Sequence, residues 1–337
     1  MSSLQSLTLY ELRELAQSDP ALSGFSPLSA RNVLLVELAA DDVSPTEQAR
    51  ITAWLRQLPC PCIGIVAGRD SESPLAPACD TLVADAAAAA PLLANIQRSP
   101  IAATVLVQLL RASENLPLAD ALTLESLAYA TLQAGPEFGR WIAANRAPVP
   151  FAHTDSGPAV VMTRDTGTLM LELNRASNRN GMTVEMRDAL IEALQLVLTD
   201  DSITHVRLSG RGKCFSTGGD LTEFGSAPDP ATAHLVRSLA LPGRLLAQCA
   251  ARVIVRVHGA CVGSGIEFPA FAKRLVATPD AYFQLPELKY GLLPGAGGTV
   301  SIARRIGRQR SAWLMLSGRR IHAEQALAWG LVDQIED

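Results

Sequence analysis

The chain has 337 residues, nearly half of them apolar, and a formal net charge of −4. That length suits about two domains with a sizeable core, and the acidic balance argues against a nucleic-acid binder, which needs a basic stripe. No eighteen apolar residues run uninterrupted, since the stretch Ala84–Ala94 is broken by Asp85 and Pro91, so no transmembrane helix is expected.

In chain order, Val33–Leu38 reads as a strand, Pro45–Leu58 as a helix, and Pro61–Gly68 and Ala78–Ala84 as two further strand-like runs. Pro100–Asn145 reads as helical, with apolar stripes through Ile101, Val105, Leu106 and Leu109, then Leu122, Leu127 and Leu132. Ala147-Pro148-Val149-Pro150 disfavours helix and predicts an extended linker. Beyond it, Ala159–Met162 and Gly167–Leu173 read as paired strands, and Thr183 is placed to cap an amphipathic helix to Leu198. His205–Gly210, Arg252–Gly259 and Leu275–Ala277 are three more strands, an alternation that predicts βαβ units.

Six cysteines are present, and Cys60-Pro61-Cys62 is too cramped for a disulfide. Most lie in apolar runs, where a thiol behaves as a small hydrophobe, so reduced cysteines and a cytoplasmic protein are expected. The five histidines show no metal-ligand spacing to a cysteine, so no metal site is expected. The polar N-terminus lacks a charged segment leading into an apolar one, so no signal peptide is expected.

Three stretches carry chemistry. Cys214–Asp220 holds the pair Gly218-Gly219, and Gly263-Ser264-Gly265-Ile266-Glu267 sets a carboxylate beside glycines. Gln284-Leu285-Pro286-Glu287 runs on to Pro294-Gly295-Ala296-Gly297-Gly298-Thr299 and supplies a second carboxylate. Glycine turns present N–H groups to a carbonyl oxygen as negative charge develops on it. Carboxylates shuttle protons when their pKa is raised towards neutrality.

These stretches, with Leu173–Met182 and the closing Leu316–Ile321 and Ala326–Asp333, resemble the crotonase (enoyl-CoA hydratase/isomerase) superfamily from about Ala159 to Ile335. The resemblance implies an α/β fold of repeated ββα turns in a spiral. It implies Glu267 and Glu287 as catalytic, Gly219 and Ser264 as oxyanion-hole donors, and Gly295 as the glycine whose N–H orients a water. CoA would be held by the loop through Arg175, Ala176 and Asn178 to Asn180, with Lys213 near its phosphates. Serine at 264 departs from the family's usual glycine, and Thr222 stands where a lysine is frequent. The pocket walls are expected between Glu223 and Leu241.

The first hundred residues echo the strand–helix pattern of the second half without its glycine–glutamate elements. They look like a degenerate crotonase-like half, residues 1–98. Residues 99–147 resemble the family's helical tail, displaced to precede a catalytic core of residues 148–337. The expected function is hydration of a 2-enoyl-CoA thioester. Enoyl-CoA isomerisation or another crotonase-type reaction is the first alternative, and a non-catalytic acyl-CoA-binding subunit the second. The resemblance implies a CoA thioester as substrate with no further cofactor, no nucleic-acid or membrane partner, and a homotrimer or dimer of trimers.

Overall fold

The computed structural model describes residues 6–18, 22, 24–29, 31–38, 43–66, 73–145 and 154–337. The predicted linker at Ala147–Pro150 and the end of the run at Ala67-Gly68 lie outside the described residues. The chain begins with α1 (Leu9–Ser18), β1 (Leu34–Leu38), α2 (Pro45–Gln57), β2 (Cys62–Val66) and β3 (Thr81–Val83). The three strands pair in parallel in the order β1-β2-β3. Parallel strands are buried on both faces. Here Leu34, Val36 and Leu38 pack with Ile51, Trp54 and Leu55 of α2, while Val33, Leu35, Ile63 and Val83 join the main core.

Four helices follow: α3 (Ala86–Arg98), α4 (Pro100–Ser113), α5 (Leu118–Gln133) and α6 (Pro136–Ala144). They lie against the second half of the same chain. Leu106, Leu109, Leu122 and Leu132 are buried as their stripes predict. Leu127 is not, and its side chain is 47% exposed. Five residues advance a helix by about 500°, which carries Leu127 roughly 140° away from Leu122.

The second half comprises β4 (Val160–Asp165), β5 (Thr168–Leu173), α7 (Val184–Thr199), β6 (His205–Gly210), α8 (Pro230–Leu239), α9 (Pro242–Cys249), β7 (Val253–Val257) and β8 (Ala260–Val262). It continues with α10 (Ser264–Glu267), β9 (Arg274–Ala277), β10 (Tyr282–Gln284), α11 (Gly298–Ile306), α12 (Arg308–Ser317), β11 (Ile321–His322), α13 (Ala323–Trp329) and β12 (Gln334–Ile335). Thr183 caps α7 as expected, accepting from Met186 N. A six-stranded sheet has the order β12-β9-β7-β6-β5-β4, parallel except where β4 meets β5. A smaller sheet has the order β11-β10-β8. Successive turns give one strand to each sheet and then a helix: β7, β8, α10, then β9, β10 and the helices α11 and α12. This is the expected ββα spiral, and it brings the ends of β8 and β10 side by side.

A buried ion network fastens the two halves together. Asp80 pairs with Arg111 of α4 at 2.5 Å and Arg308 of α12 at 3.4 Å. Arg308 also donates to the Cys79 and Pro77 carbonyls. Buried charges of this kind are tolerable only when each remaining donor and acceptor is met. Elsewhere Asn95 of α3 donates to the Leu316 and Ser317 carbonyls, and Ser99 donates to Leu288 O at 2.7 Å.

Candidate active site

Gly263 makes the turn from β8 into α10 with φ +53° and ψ −127°, a backbone conformation that favours glycine. The same point is crowded. A Cβ there would stand 2.9 Å from Glu287 Oε1 and 3.9 Å from Glu267 Oε1. Glu267 lies one turn further along α10, and Glu287 starts the single helical turn after β10. The two carboxylates therefore converge, and both line one cavity of about 480 Å³.

The loop carrying Gly219 lies directly on this turn. Ser216 bridges Cys261, and Gly218, at φ +86°, leaves a would-be Cβ only 2.5 Å from Val262 O. Any side chain at 218 would push the loop away. Gly219 and Ser264 both line the cavity. Neither backbone N–H donates to a protein acceptor among the described residues. Ser264 N heads α10, where an amide has no intrahelical partner. The Ser264 hydroxyl is buried without a partner as well.

The glycine-rich stretch before α11 divides its amides between two acids. Ala296 N and Gly298 N donate to Glu267 Oε2 at 2.7 and 3.0 Å. Gly297 N donates to Glu125 Oε1 at 2.7 Å, and Thr299 N and Oγ1 donate to Glu125 Oε2 at 2.9 and 2.6 Å. Glu125 comes from α5, in the first half. One turn along α5, Tyr129 lays its ring on Gly295, where an added Cβ would meet Cδ2 at 2.3 Å.

Sequence reasoning missed both Glu125 and Tyr129 as site residues. The available signal was an acid amid the buried stripe of α5, between Leu122 and Leu132. Such an acid needs a partner from elsewhere in the chain.

Burial raises all three acids. Glu287 is pushed up to about 8 by burial and then by the charge of Glu125. Its Oε2 has no partner. Glu267 rises well above the usual carboxylate range through burial and then the charges of Glu287 and Glu125, against the pull of its two amide donors. Glu125 rises to about 7 through burial, opposed by Thr299, Gly297 and the charge of Arg237. Such a cluster holds protons near neutrality and can both donate and accept them.

The unfolded chain releases those protons near pH 4.5, whereas the folded chain keeps that of Glu287 to about pH 8. The stabilisation is therefore complete below the unfolded value and is lost as pH rises through the folded one. Thermal unfolding of the ligand-free protein should show Tm falling between about pH 5 and pH 8, with a smaller fall in Glu287→Gln. An equal fall in the variant would show that Glu287 is not one of the groups responsible.

The proposed CoA loop turns most of its side chains inward. Arg175 is buried, ion-paired with Glu185, and donates to Asn174 O at 2.7 Å. It thus braces the loop and is not a free cation. Asn178 donates to Asp220, and Asn180 accepts from Arg175 N and donates to the Arg211, Cys214 and Phe215 carbonyls. Ala176 and Lys213 line a separate groove of about 800 Å³, together with Arg179 and Thr217. Gly295 lines the cavity with the two glutamates. Among the described residues no cluster of three metal-ligating side chains occurs, and no helix is long and apolar enough to cross a membrane.

The family profile for enoyl-CoA hydratase/isomerase matches residues 163–336. A 2,3-dehydroadipyl-CoA hydratase of Escherichia coli K12 is 34% identical over 179 residues, which is 52% of this chain and 68% of that protein. A 1,2-epoxyphenylacetyl-CoA isomerase of the same strain is 34% identical over 177 residues, 51% of this chain and 68% of its own length. Among solved structures, Pseudomonas aeruginosa DspI superposes with a TM-score of 0.50 at 26% identity, covering 57% of this chain and 72% of that one. A Rhodopseudomonas palustris CGA009 chain carrying the enoyl-CoA hydratase name does so with a TM-score of 0.50 at 33% identity, over 55% and 72%. All of these matches leave much of the first half uncovered. The matched stretch nonetheless spans more than half the sequence and contains both converging glutamates, so the chain belongs to the enoyl-CoA hydratase/isomerase family, the crotonase superfamily.

Proposed function

We propose that the protein adds water across the double bond of a 2-enoyl-CoA thioester. The observation that carries this reading is the convergence of Glu267 and Glu287 on one cavity. In this reading the Gly219 and Ser264 amides bind the thioester oxygen, and losing one such donor costs about 3 kcal/mol of transition-state stabilisation. Glu267, anchored through Oε2, and Glu287, with its partnerless Oε2, hold one water between them beside the Gly295 amide. The water oxygen bonds to C3 and gives a proton to one carboxylate. The other carboxyl gives its proton to C2, so the pair's proton count is unchanged. CoA runs along the Ala176–Lys213 groove, Lys213 and Arg179 lying towards its phosphates.

Isomerisation, moving the double bond with Glu287 alone as the shuttle, is the second reading. One observation favours it: the Tyr129 ring lies on Gly295, the residue whose amide hydration uses for its water. Crotonyl-CoA separates the two. Hydration removes the enoyl-thioester ultraviolet band, with turnover expected in the ordinary range of about 1–1000 per second. No loss of absorbance, together with conversion of a 3-enoyl-CoA into its conjugated isomer, would establish the second reading over the first.

Assembly as a trimer or dimer of trimers is part of the same reading, and the exposed Leu127, Leu235 and Leu239 on the packed helices α5 and α8 are apolar surface that a subunit contact would cover.

A further inference from the structure

Arg237 has no part in the chemistry above, yet it lines the same cavity as the two glutamates. It projects from α8 towards α5. Its Nε donates to Ser126 Oγ at 3.1 Å, one terminal nitrogen to Gln133 Oε1 at 3.0 Å and the other to Ser126 O at 3.3 Å. The guanidinium carbon stands 4.5 Å from the centroid of the Tyr129 ring. All of these partners are neutral, and no described carboxylate forms an ion pair with it. Burial lowers its pKa, against the pull of Tyr129 and Glu125.

Apart from the two glutamates, the other charged side chains on the cavity wall are already engaged. Arg187 pairs with Asp188 at 2.8 Å, and Glu223 accepts from Val184 N at 2.9 Å. Arginine carries five N–H donors, of which these contacts use three, so two remain for a ligand. A half-buried cation held by neutral groups beside a substrate cavity is a place where an anion would complete the electrostatics.

That anion is not a CoA phosphate in this arrangement. Arg179 and Lys213 stand in the groove on the other side of the Thr217–Gly219 loop, since Thr217 lines the groove and Gly219 the cavity. With the thioester oxygen at Gly219 and Ser264, the acyl chain extends into the cavity that contains Arg237.

We propose that Arg237, assisted by Gln133, binds a carboxylate at the far end of the acyl chain, so that the preferred substrates are CoA monothioesters of unsaturated dicarboxylic acids. This rests on the acyl-CoA reading of the site and adds a substrate class to it.

The test compares two saturated six-carbon thioesters, adipyl-CoA and hexanoyl-CoA, by calorimetric binding to the full chain. Their 2-enoyl counterparts are then compared by kcat/KM. Adipyl-CoA is expected to bind about 10- to 100-fold more tightly. That preference should disappear in Arg237→Met, persist in part in Arg237→Lys, and weaken as salt is raised. Hexanoyl-CoA binding as tightly as adipyl-CoA in the unaltered protein would overturn the inference without needing any variant, and so would a preference that survives Arg237→Met. Either result, with crotonyl-CoA still turned over, leaves the acyl-CoA reading standing. If neither thioester binds and neither 2-enoyl counterpart reacts, both readings fall together.

Discussion

Glu287→Gln should lower turnover by about a thousandfold while leaving acyl-CoA affinity largely intact. Glutamine keeps the shape of the side chain and can hydrogen-bond, but it cannot exchange a proton at neutral pH. In both the hydratase and the isomerase readings this proton is transferred. Glu287 is pushed up to about 8, and its Oε2 faces no protein donor. Steady-state rates with product-analogue binding measured alongside check the result; unchanged turnover would exclude both the hydratase and the isomerase readings. Glu267→Gln divides them. If hydration is correct, the loss should be of similar size, because Glu267 is then the water's second partner. A variant that keeps most of its rate would point to isomerisation through Glu287 alone.

A fragment beginning at Pro150 should be insoluble or inactive. It lacks α3 to α6, which supply Leu106, Val107, Leu110, Leu122 and Leu132 to the buried interior. Fully burying a leucine or valine contributes about 1.5–3 kcal/mol each, so losing these contacts is comparable with the whole stability of an ordinary domain, about 5–15 kcal/mol. The fragment also loses Glu125 and leaves Gly297 N, Thr299 N and Thr299 Oγ1 without their acceptor. Those amides alternate with the two that fix Glu267, so the loop and the acid should loosen together. Sedimentation and crotonyl-CoA hydration of the fragment measure this. A soluble, fully active monomer would show the first half to be an independent module.

Much of the second half was legible because its signals are local. The apolar runs at Ala159–Met162 and Gly167–Leu173 read as the paired strands β4 and β5, Thr183 announced α7, and the glycines at 218 and 263 lie where one backbone runs against another. Glu267 and Glu287 were readable as a pair because each stands in a short motif. Glu125 and Tyr129 were not, because their partners lie far along the chain, and the separation from Glu125 to Gly297 is 172 residues. The sequence marks Glu125 only as an acid on an apolar helix and does not say which amides it meets. Leu127 was misplaced for a simpler reason: leucines spaced by five look like a stripe in the sequence but wind around the helix. The sequence places Arg175 in the loop expected to hold CoA but does not show that its charge is taken up by Glu185 within the loop's own scaffold.

The sharing of Ala296 to Thr299 between two acids from opposite halves has a consequence for how the protein is made. Glu125 leaves the ribosome 172 residues before Gly297. At about 5–20 residues per second that is a wait of roughly 10–30 s. During it the carboxylate sits in water, ionised at neutral pH. A charge on the apolar stripe of α5 discourages the half-made helices from burying that stripe against a stray partner. The same acid ends as the acceptor for Gly297 N, Thr299 N and Thr299 Oγ1, so a charge that opposes early burial of the helix becomes the anchor of the loop that completes the cavity.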